Sequence, residues 1–357
     1  MKFLFLILSL LYGLLVYLRN VFFDFKIIRQ HSFNIPIISV GNLALGGTGK
    51  TPMTIFLSIW LNKHKISHVI VSRGYKKMKG GVFVVNPKKH SPQECGDEPF
   101  MMAKRLIKTP IIVGNKKYKS INLAIKTFSP SVILLDDGFQ SRSINRDLDI
   151  VLINSLDCKQ SSRLVPLGNF RENLSALQRA DLVVFTKNNL MDKQNISNEH
   201  RKVIIKQLGQ DNIPYLFSNI ISNLLIYNID SCSMQESTSS CIATPSLGLC
   251  GIGNPESFNK LMKLYFNNIV HIEHYTDHYD YHQNNLTLMN IIKGHYKKYK
   301  LKNVVITYKD FTKISGLSFN VFSWIGQHKI SLYVIDINIE LKDKNNLLIN
   351  CLQKIVA

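Results

Sequence analysis

The sequence has little acidic charge and no paired cysteine motif. Among its 357 residues, 24 Asp and Glu stand against 44 Lys and Arg, so the formal net charge is +20. The six cysteines form no C-x-x-C pair, which excludes the zinc and haem motifs built on that spacing and favours reduced thiols. The basic excess favours an acidic partner such as nucleic acid, anionic lipid or a phosphorylated substrate, although lysines spread over a solvated surface would give the same total.

Charge is also absent from the first apolar stretch, which runs from Phe3 to Leu18. Its length is near the lower limit of about 17–25 residues for a spanning helix. Bulky residues such as Phe22 follow it where a signal peptide would carry small residues for cleavage. Lys2 precedes the stretch and three basic residues follow it, which favours a body on the cytoplasmic side. We therefore expect a retained anchor within residues 1–30, either spanning the bilayer or lying in its interface, with a buried core helix as the alternative.

Short, apolar, β-branched runs recur along the rest of the chain. They alternate with helical patterns, which predicts a mostly parallel sheet covered on both faces. The polar stretch 226–246 predicts a hinge or hairpin, and a second, smaller α/β unit is expected in residues 247–357. The predicted strands of the first unit are 35–42, 68–72, 110–114, 131–136, 148–154 and 180–186.

A glycine-rich loop, LALGGTGKTP, follows the first predicted strand and precedes a helical pattern. Glycines let successive backbone N–H groups point at a phosphate, and the helix N-terminus adds its positive end. The strict P-loop pattern needs glycine at position 44, where this chain has Ala44, but strand, loop and helix stand in the required order. The predicted nucleotide-binding residues are Ala44, Leu45, Gly46, Gly47, Thr48, Gly49, Lys50 and Thr51.

Two pairs of acidic residues are candidates for holding a metal ion. Asp136 and Asp137 end a predicted parallel strand, so they should lie beside the glycine loop, where Mg²⁺ bridging phosphates needs a carboxylate. An ordinary Asp-Gly turn is the alternative reading. The second pair, Asp97 and Glu98, is weaker on its own, because a helix with an acidic first turn explains it equally well.

A histidine-rich stretch, HIEHYTDHYDYH (271–282), lacks the H-E-x-x-H spacing of zinc enzymes. Its aromatic residues favour packing over metal binding. One of its histidines could assist a carboxylate in proton transfer.

Basic residues follow several predicted strand ends, where they would face a bound ligand. They comprise the clusters SRGYKKMKGG (72–81) and GNKKYK (114–119), with Arg142, Arg146 and Arg171 as further candidates.

Taken together, the motifs resemble the tetraacyldisaccharide 4'-kinase family, the lipid A biosynthesis kinases of Gram-negative bacteria. The resemblance runs from the anchor almost to the C-terminus. It is carried by SVGNLALGGTGKTP, SRGYK, GDEPF, LLDDGFQSRSINRDLDIVLIN, RENLSALQRADLVVFTK, GIGNP, TDHYDY and ITYKDF.

The resemblance implies transfer of the γ-phosphate of ATP, with Mg²⁺, to the 4'-hydroxyl of a tetraacylated glucosamine disaccharide 1-phosphate, giving lipid IVA. It implies two α/β/α domains, a P-loop kinase domain in 31–225 and the smaller C-terminal domain. The anchor helix in 1–30 precedes them, and the hinge or hairpin joins them. The expected partners are the membrane-embedded acylated disaccharide and the lipid surface at the cytoplasmic face of the inner membrane, with no nucleic acid and no obligate protein partner.

Carried over position by position, the resemblance also implies roles for individual residues. Lys50 and Thr51 would serve the phosphates and the metal. Glu98 would join Asp136 and Asp137 at the metal; which of these two aspartates touches it stays open. Asp97, assisted by His278, would be the base for the sugar hydroxyl. Arg171 would contact phosphate or substrate.

Two other classes of protein fit parts of the sequence. A membrane-associated GTPase needs an [NT]-K-x-D signature, but Asn189 stands where its aspartate should be, and Leu135 occupies the first position of D-x-x-G. A non-catalytic, nucleotide-gated binder of a polyanion would gain nothing from the paired acids at 97–98 and 136–137. Both are therefore disfavoured relative to a kinase.

Overall fold

The structure, a computed structural model, describes residues 2–156, 163–191, 199–239, 241–315 and 320–356. The chain divides into two units. The first comprises Met1–His90, Met102–Ile220 and Ile339–Ala357, and the second comprises Ser91–Met101 and Ile221–Asn338. The chain therefore passes from one unit to the other several times.

Helices and strands alternate along most of the chain. The strands are β1 (Ile37–Asn42), β2 (His68–Ser72), β3 (Phe83–Val84), β4 (Ile111–Val113), β5 (Val132–Asp136), β6 (Leu148–Asn154), β7 (Leu182–Thr186), β8 (Tyr215–Asn228), β9 (Ser233–Glu236), β10 (Ser246–Cys250), β11 (Ile269–His274), β12 (Asn303–Thr307) and β13 (Ser331–Lys342). The α-helices are α1 (Lys2–Asp24), α2 (Lys50–Lys63), α3 (Pro92–Cys95), α4 (Asp97–Arg105), α5 (Lys117–Phe128), α6 (Glu199–Gln210), α7 (Pro255–Tyr265), α8 (Asn285–Tyr299), α9 (Tyr308–Ile314), α10 (Asn320–Gln327) and α11 (Leu347–Val356).

The sheet of the first unit has the strand order β8-β7-β6-β1-β5-β2-β4-β3. Its neighbouring strands run parallel, except that β3 is antiparallel to β4. Alternate residues face opposite sides: Val71 packs with Ile121 of α5 on one face, and Val183 packs with Leu208 of α6 on the other. Burial on both faces explains why these strands are continuous apolar runs. The predicted mostly parallel α/β fold is confirmed.

The carboxyl ends of the central strands meet at one edge of this sheet. In the parallel register of β1 and β5, Val40 lies opposite Asp136. Beyond these strands the backbones approach closely, because a Cβ at Gly41 would lie 2.4 Å from the Cβ of Phe139 and 2.7 Å from its backbone nitrogen. The absence of a side chain at Gly41 lets the segment after β5 fold against the end of β1.

The second unit contains a parallel sheet with the order β11-β10-β12-β13. The end of β8 pairs antiparallel with β9 and forms a hairpin within residues 225–236. Leu249 and Ile306 of the sheet pack with Leu288 of α8 and Ile325 of α10. This unit therefore has its own apolar core.

Helix α1 is the one helix among the described residues that is long and apolar enough to cross a membrane. Its apolar part, Phe3–Asp24, has a mean hydropathy of 1.9. Most of its apolar side chains are exposed, including Phe3 at 75% and Leu15 at 67%. The helix is thus not a buried core helix, the alternative reading of the sequence.

The close approach at Gly41 predicts a destabilising substitution. Gly41→Ala should lower the free energy of unfolding of the first unit by about 1–3 kcal/mol, because the obstructing atoms belong to backbone that cannot move aside cheaply. Urea unfolding in a Trp324→Phe background checks this, since Trp60 then reports the first unit alone.

Gly209→Ala is the matched control for this prediction. Gly209 lies in α6 of the same unit, and an added Cβ there meets no atom within 4 Å. It should leave the stability unchanged or raise it slightly. Equal stabilities of the two variants would contradict the packing argument.

Candidate active-site residues

The glycine loop after β1 has the backbone shape of an anion cradle. Gly46 and Gly49 have φ angles of 104° and 93°, in the left-handed region that glycine adopts without strain. Helix α2 begins directly after Gly49, and no side chain caps its N-terminus. The first N–H groups of the helix therefore remain available to an anion, as a phosphate-binding loop requires.

Side chains at the ends of two strands hold the loop in place. Asn42, at the end of β1, donates its Nδ2 to the backbone oxygen of Ala44 and, over 2.8 Å, to the Thr48 hydroxyl. Thr186, at the end of β7, donates its hydroxyl to the Thr48 oxygen over 2.8 Å. The loop shape is thus preorganised by buried hydrogen bonds, and neither residue was singled out from the sequence.

Asp136 and Asp137 follow each other at the edge of the sheet but have different surroundings. Asp136 is buried and accepts hydrogen bonds from Ser72 at 2.9 Å and from Thr54 at 3.5 Å. Asp137 has a φ of 48°, an uncommon backbone conformation for a residue other than glycine. This turn separates the two carboxylates, so that they serve different partners.

Three cations surround Asp137. Its carboxylate lies 3.6 Å from Lys50 Nζ and 3.1 Å from Arg171 Nη1. Lys117 donates to the backbone oxygen of Asp136, at 2.9 Å, and to that of Asp137. Burial acts to raise the pKa of Asp137, but Lys50, Arg171 and Lys117 outweigh it and hold this pKa at about 2. The carboxylate therefore stays ionised throughout the physiological range.

Lys117 is the buried cation of this group. Burial lowers its pKa to about 8, against the opposing effect of the two aspartates. It belongs to the basic cluster GNKKYK, which follows β4. The sequence predicted that this cluster faces a bound ligand. Its fixed contacts make it a support for the turn at Asp137.

Arg171 comes from the segment 163–173, which packs against the start of the glycine loop. Its backbone N–H donates to the oxygen of Leu43 over 2.6 Å, and the N–H of Leu45 donates to Asn169 over 2.7 Å. Its side chain also reaches Gln140 Oε1 at 3.3 Å. Lys50, Asp137 and Arg171, which are distant in sequence, are therefore brought together.

The other two arginine candidates lie elsewhere. Arg142 is buried and bonds the backbone oxygen of Asn20 at 3.0 Å and the carboxylate of Asp24. Arg146 pairs with Asp149 at 2.7 Å. Both arginines have internal partners, so the expectation that they face the ligand with Arg171 is not supported.

A second cluster of charged residues lies within the second unit, around Asp97. Its carboxylate is 3.1 Å from His278 Nδ1 and 3.1 Å from Lys313 Nζ. Burial acts to raise the pKa of Asp97, but His278 and Lys313 outweigh it and lower this pKa below its ordinary value. Asp97 is therefore an ionised carboxylate hydrogen-bonded to an imidazole.

Lys309 organises the acids next to Asp97. Its ammonium lies 3.3 Å from Glu98 and 3.0 Å from Asp277, which is 3.8 Å from His278 Nε2. Burial acts to lower the pKa of Lys309, but Glu98 and Asp277 outweigh it and raise this pKa. Lys309 and Lys313, from the stretch ITYKDF and the residues just after it, were not identified from the sequence.

The donor set suits a nucleotide-bound Mg²⁺ better than an ion held by protein alone. Among the described residues, no group of three or more His, Cys, Asp and Glu side chains could hold a metal. A Mg²⁺ ion carried by phosphates needs only one or two protein carboxylates and a hydroxyl. Asp136 lies beside Thr54, one helical turn after Thr51, so the first unit contains that smaller set.

Comparisons with known proteins show which family the chain is similar to. The model of the family described as tetraacyldisaccharide-1-P 4'-kinase matches residues 1–356. The tetraacyldisaccharide 4'-kinase of Halothermothrix orenii is 31% identical over 348 residues, covering 94% of this chain and 88% of that protein. The enzyme of the same name from Desulfotalea psychrophila is 33% identical over 318 residues, covering 87% of each.

A solved structure shares the architecture. The crystal structure of LpxK from Aquifex aeolicus in complex with ATP aligns with a TM-score of 0.67 at 26% identity, covering 99% of this chain and 98% of that one. Family match, curated relatives and fold agree over nearly the whole length. The chain belongs to the tetraacyldisaccharide-1-P 4'-kinase family.

Proposed function

We propose that this chain transfers the γ-phosphate of ATP to the 4'-hydroxyl of a tetraacylated glucosamine disaccharide 1-phosphate, forming lipid IVA. The family match over residues 1–356 is the observation that carries the proposal. The chemistry of the two charged clusters supports it, because phosphoryl transfer needs cations and a positioned carboxylate rather than a covalent intermediate.

The first unit is assigned to the nucleotide. The backbone N–H groups from Ala44 to Gly49 cradle the phosphates, with Lys50 reaching the outer ones. Arg171 adds a second positive charge, which stabilises the charge that develops on the transferred group. Lys50 and Arg171 both rest on Asp137, so they are held in one place before the nucleotide arrives.

Thr51, Asp136 and Asp137 of the first unit are the residues proposed to hold Mg²⁺. Glu98, which the resemblance implies at the metal, pairs with Lys309 in the second unit. When bound, the ion would supply positive charge that offsets the negative charge of the phosphates. We favour Asp136 as the carboxylate partner, since its Oδ1 lies 3.5 Å from the hydroxyl of Thr54, one helical turn after Thr51, whereas the carboxylate of Asp137 is paired with Lys50 and Arg171.

The second unit is assigned to proton transfer. Asp97 accepts the proton of the 4'-hydroxyl. His278 assists it through the hydrogen bond between its Nδ1 and the Asp97 carboxylate. A carboxylate with a lowered pKa is a weak base, but it is ionised when the hydroxyl attacks. A weak but ionised base suffices for a loose transition state, because positioning and charge stabilisation lower the barrier most.

The proposed location is the lipid surface at the cytoplasmic face of the inner membrane, with α1 lying in the interface. The face of α1 from Ser9 to Asp24 contacts the first unit, so lipid cannot surround that part. Residues 2–8 alone rise about 10 Å, a third of the roughly 30 Å hydrocarbon core. The exposed apolar face would then enter one leaflet.

Transfer of labelled phosphate tests the function. The protein, incubated with ATP labelled on the γ-phosphate, magnesium and the tetraacyl disaccharide 1-phosphate in detergent micelles, should yield a product one phosphoryl group heavier by mass. Asp97→Asn and His278→Ala should each slow turnover by about 10²–10⁴-fold while binding of an ATP analogue persists, because only the base is lost.

His282→Ala is the matched control, since His282 lies in the same histidine-rich stretch and is exposed. It should keep full activity. Absence of a phosphorylated lipid would refute the function, whereas product formation at normal rates by both Asp97→Asn and His278→Ala would refute only the proposed base.

The pH dependence of turnover is expected to shift in Lys313→Met. The positive charge of Lys313 stabilises the Asp97 carboxylate and lowers its pKa. Without that charge Asp97 takes up its proton at a higher pH. The acidic limb of the kcat–pH profile should therefore move to higher pH, with the basic limb unchanged.

Lys302→Met, which removes an exposed lysine of the same unit, should leave the profile unmoved. An acidic limb that coincides in wild type and Lys313→Met would show that Asp97 does not control it.

Membrane depth tests the interfacial position of α1. A tryptophan at position 10 (Leu10→Trp), in a background without Trp60 and Trp324, should be quenched most by lipids brominated near the headgroups. A spanning helix would place residue 10 near the bilayer centre, so strongest quenching by deeply brominated lipids would contradict the proposal. Leu286→Trp, exposed on the second unit, is the control expected to show no quenching.

A further inference from the structure

We propose that helix α1 is also part of the catalytic apparatus, because Tyr12 and Asn20 position Arg171 through its backbone and its neighbour Glu172. The inference rests on the proposed role of Arg171 and adds two positioning residues from the anchor. It gives a role to the polar side chains of α1, a helix whose other side chains are apolar and suited to contact with lipid.

The polar residues of α1 that contact the rest of the first unit lie on one face. The positions that are shielded from solvent are 9, 12, 13, 16, 19, 20, 21 and 23, and all of these except position 21 recur at three- and four-residue intervals. This spacing defines a single stripe along a helix. Ser9 in the stripe donates to the oxygen of Leu164 over 2.9 Å, and a Cβ at Gly13 would lie 2.8 Å from Leu164 Cδ1. The stripe is fitted to the segment 163–173.

Tyr12 holds the peptide unit of Arg171 directly. Its hydroxyl donates to the Arg171 backbone oxygen over 3.0 Å, while the Arg171 N–H donates to Leu43 over 2.6 Å. The backbone of Arg171 is therefore fixed on one side by α1 and on the other by the chain that leads into the glycine loop. A side chain that starts from a fixed backbone has fewer directions available to it.

Asn20 acts on the next residue. Glu172 is fully buried, and its carboxylate accepts from Asn20 Nδ2 at 2.9 Å and from Arg179 at 2.7 Å, with Arg19 at 3.5 Å. A buried carboxylate is tolerated only with such partners. Two of its three partners belong to α1, so the placement of Glu172 depends on the docked helix.

The contacts of Tyr12 and Asn20 both restrict the position from which the Arg171 guanidinium extends. It bonds Asp137 at 3.1 and 3.2 Å, and Asp137 in turn contacts Lys50. A continuous set of hydrogen bonds and ion pairs thus leads from α1 to the lysine of the glycine loop. A displacement of the Arg171 backbone would change the direction in which its charge meets a phosphate.

The test compares two tyrosines of the same helix. Tyr12→Phe removes the hydroxyl on Arg171, and Tyr17→Phe removes the hydroxyl of a tyrosine that is 63% exposed. Both variants keep the apolar ring, so vesicle binding should be equal. Tyr12→Phe should lower kcat by roughly 3–10-fold, the effect of one lost hydrogen bond, with the KM for ATP unchanged and the melting temperature lowered by no more than about 2–4 °C. Tyr17→Phe should match wild type.

A double-mutant cycle with Arg171→Ala separates positioning from a general structural role. If Tyr12 acts through Arg171, Tyr12→Phe should cause no further loss in the Arg171→Ala background. Asn20→Leu should behave in the same way. Full additivity of either substitution with Arg171→Ala would overturn its assigned route.

The outcomes also distinguish this inference from the function it rests on. Normal turnover of Arg171→Ala would remove the proposed role of Arg171 itself. A slow Arg171→Ala with a normal Tyr12→Phe would overturn the positioning role alone. If Tyr12→Phe is slow and no longer binds vesicles, and its turnover recovers in detergent micelles, then Tyr12 serves only membrane contact. That result would also overturn the positioning role.

Discussion

The parallel register of β1 against β5 is the constraint on which the first unit depends. It places the end of β5 beside the start of the glycine loop, so that the carboxylate of Asp137 meets Lys50 at 3.6 Å. The close approach of the backbone at Gly41 is the local condition for this meeting. Phosphate chemistry is therefore located by topology, and the side chains refine a position that the strands have already set.

Pairing of buried charges is the second organising feature of the structure. It changes the interpretation of the large net positive charge. Several buried basic side chains have internal partners: Lys117 contacts the turn at Asp137, Arg142 pairs with Asp24, and Lys313 pairs with Asp97. Their charges are largely balanced inside the protein, as burial requires. The net charge of +20 therefore reflects mainly the exposed lysines, and it carries less information about the partner than the bulk total suggests.

Local pattern predicted the buried elements well and the long-range contacts poorly. The strands 68–72 and 148–154 have the predicted bounds, because a continuous apolar run is a local property. Strand β8 was missed because its asparagines and serines interrupt the apolar run. The pairing of Asp97 with His278, 181 residues apart, came only from the family resemblance, and Lys309 and Lys313 came from neither. No local pattern carries information on a partner so distant in sequence.

The way α1 is attached matches the substrate that the proposed function requires. A lipid with four acyl chains keeps its sugar at the headgroup level, so the carboxyl edge of the sheet must be held at that height. A flexible anchor would only keep the protein near the membrane, whereas a helix docked along Ser9, Tyr12, Asn20 and Asp24 moves with the first unit as one piece. Its contacts lie on Arg142 and on the segment 163–173, and this segment itself packs against the glycine loop. With α1 in the lipid interface, as proposed, the same hydrogen bonds that dock the helix would set the distance between the lipid surface and the phosphate site.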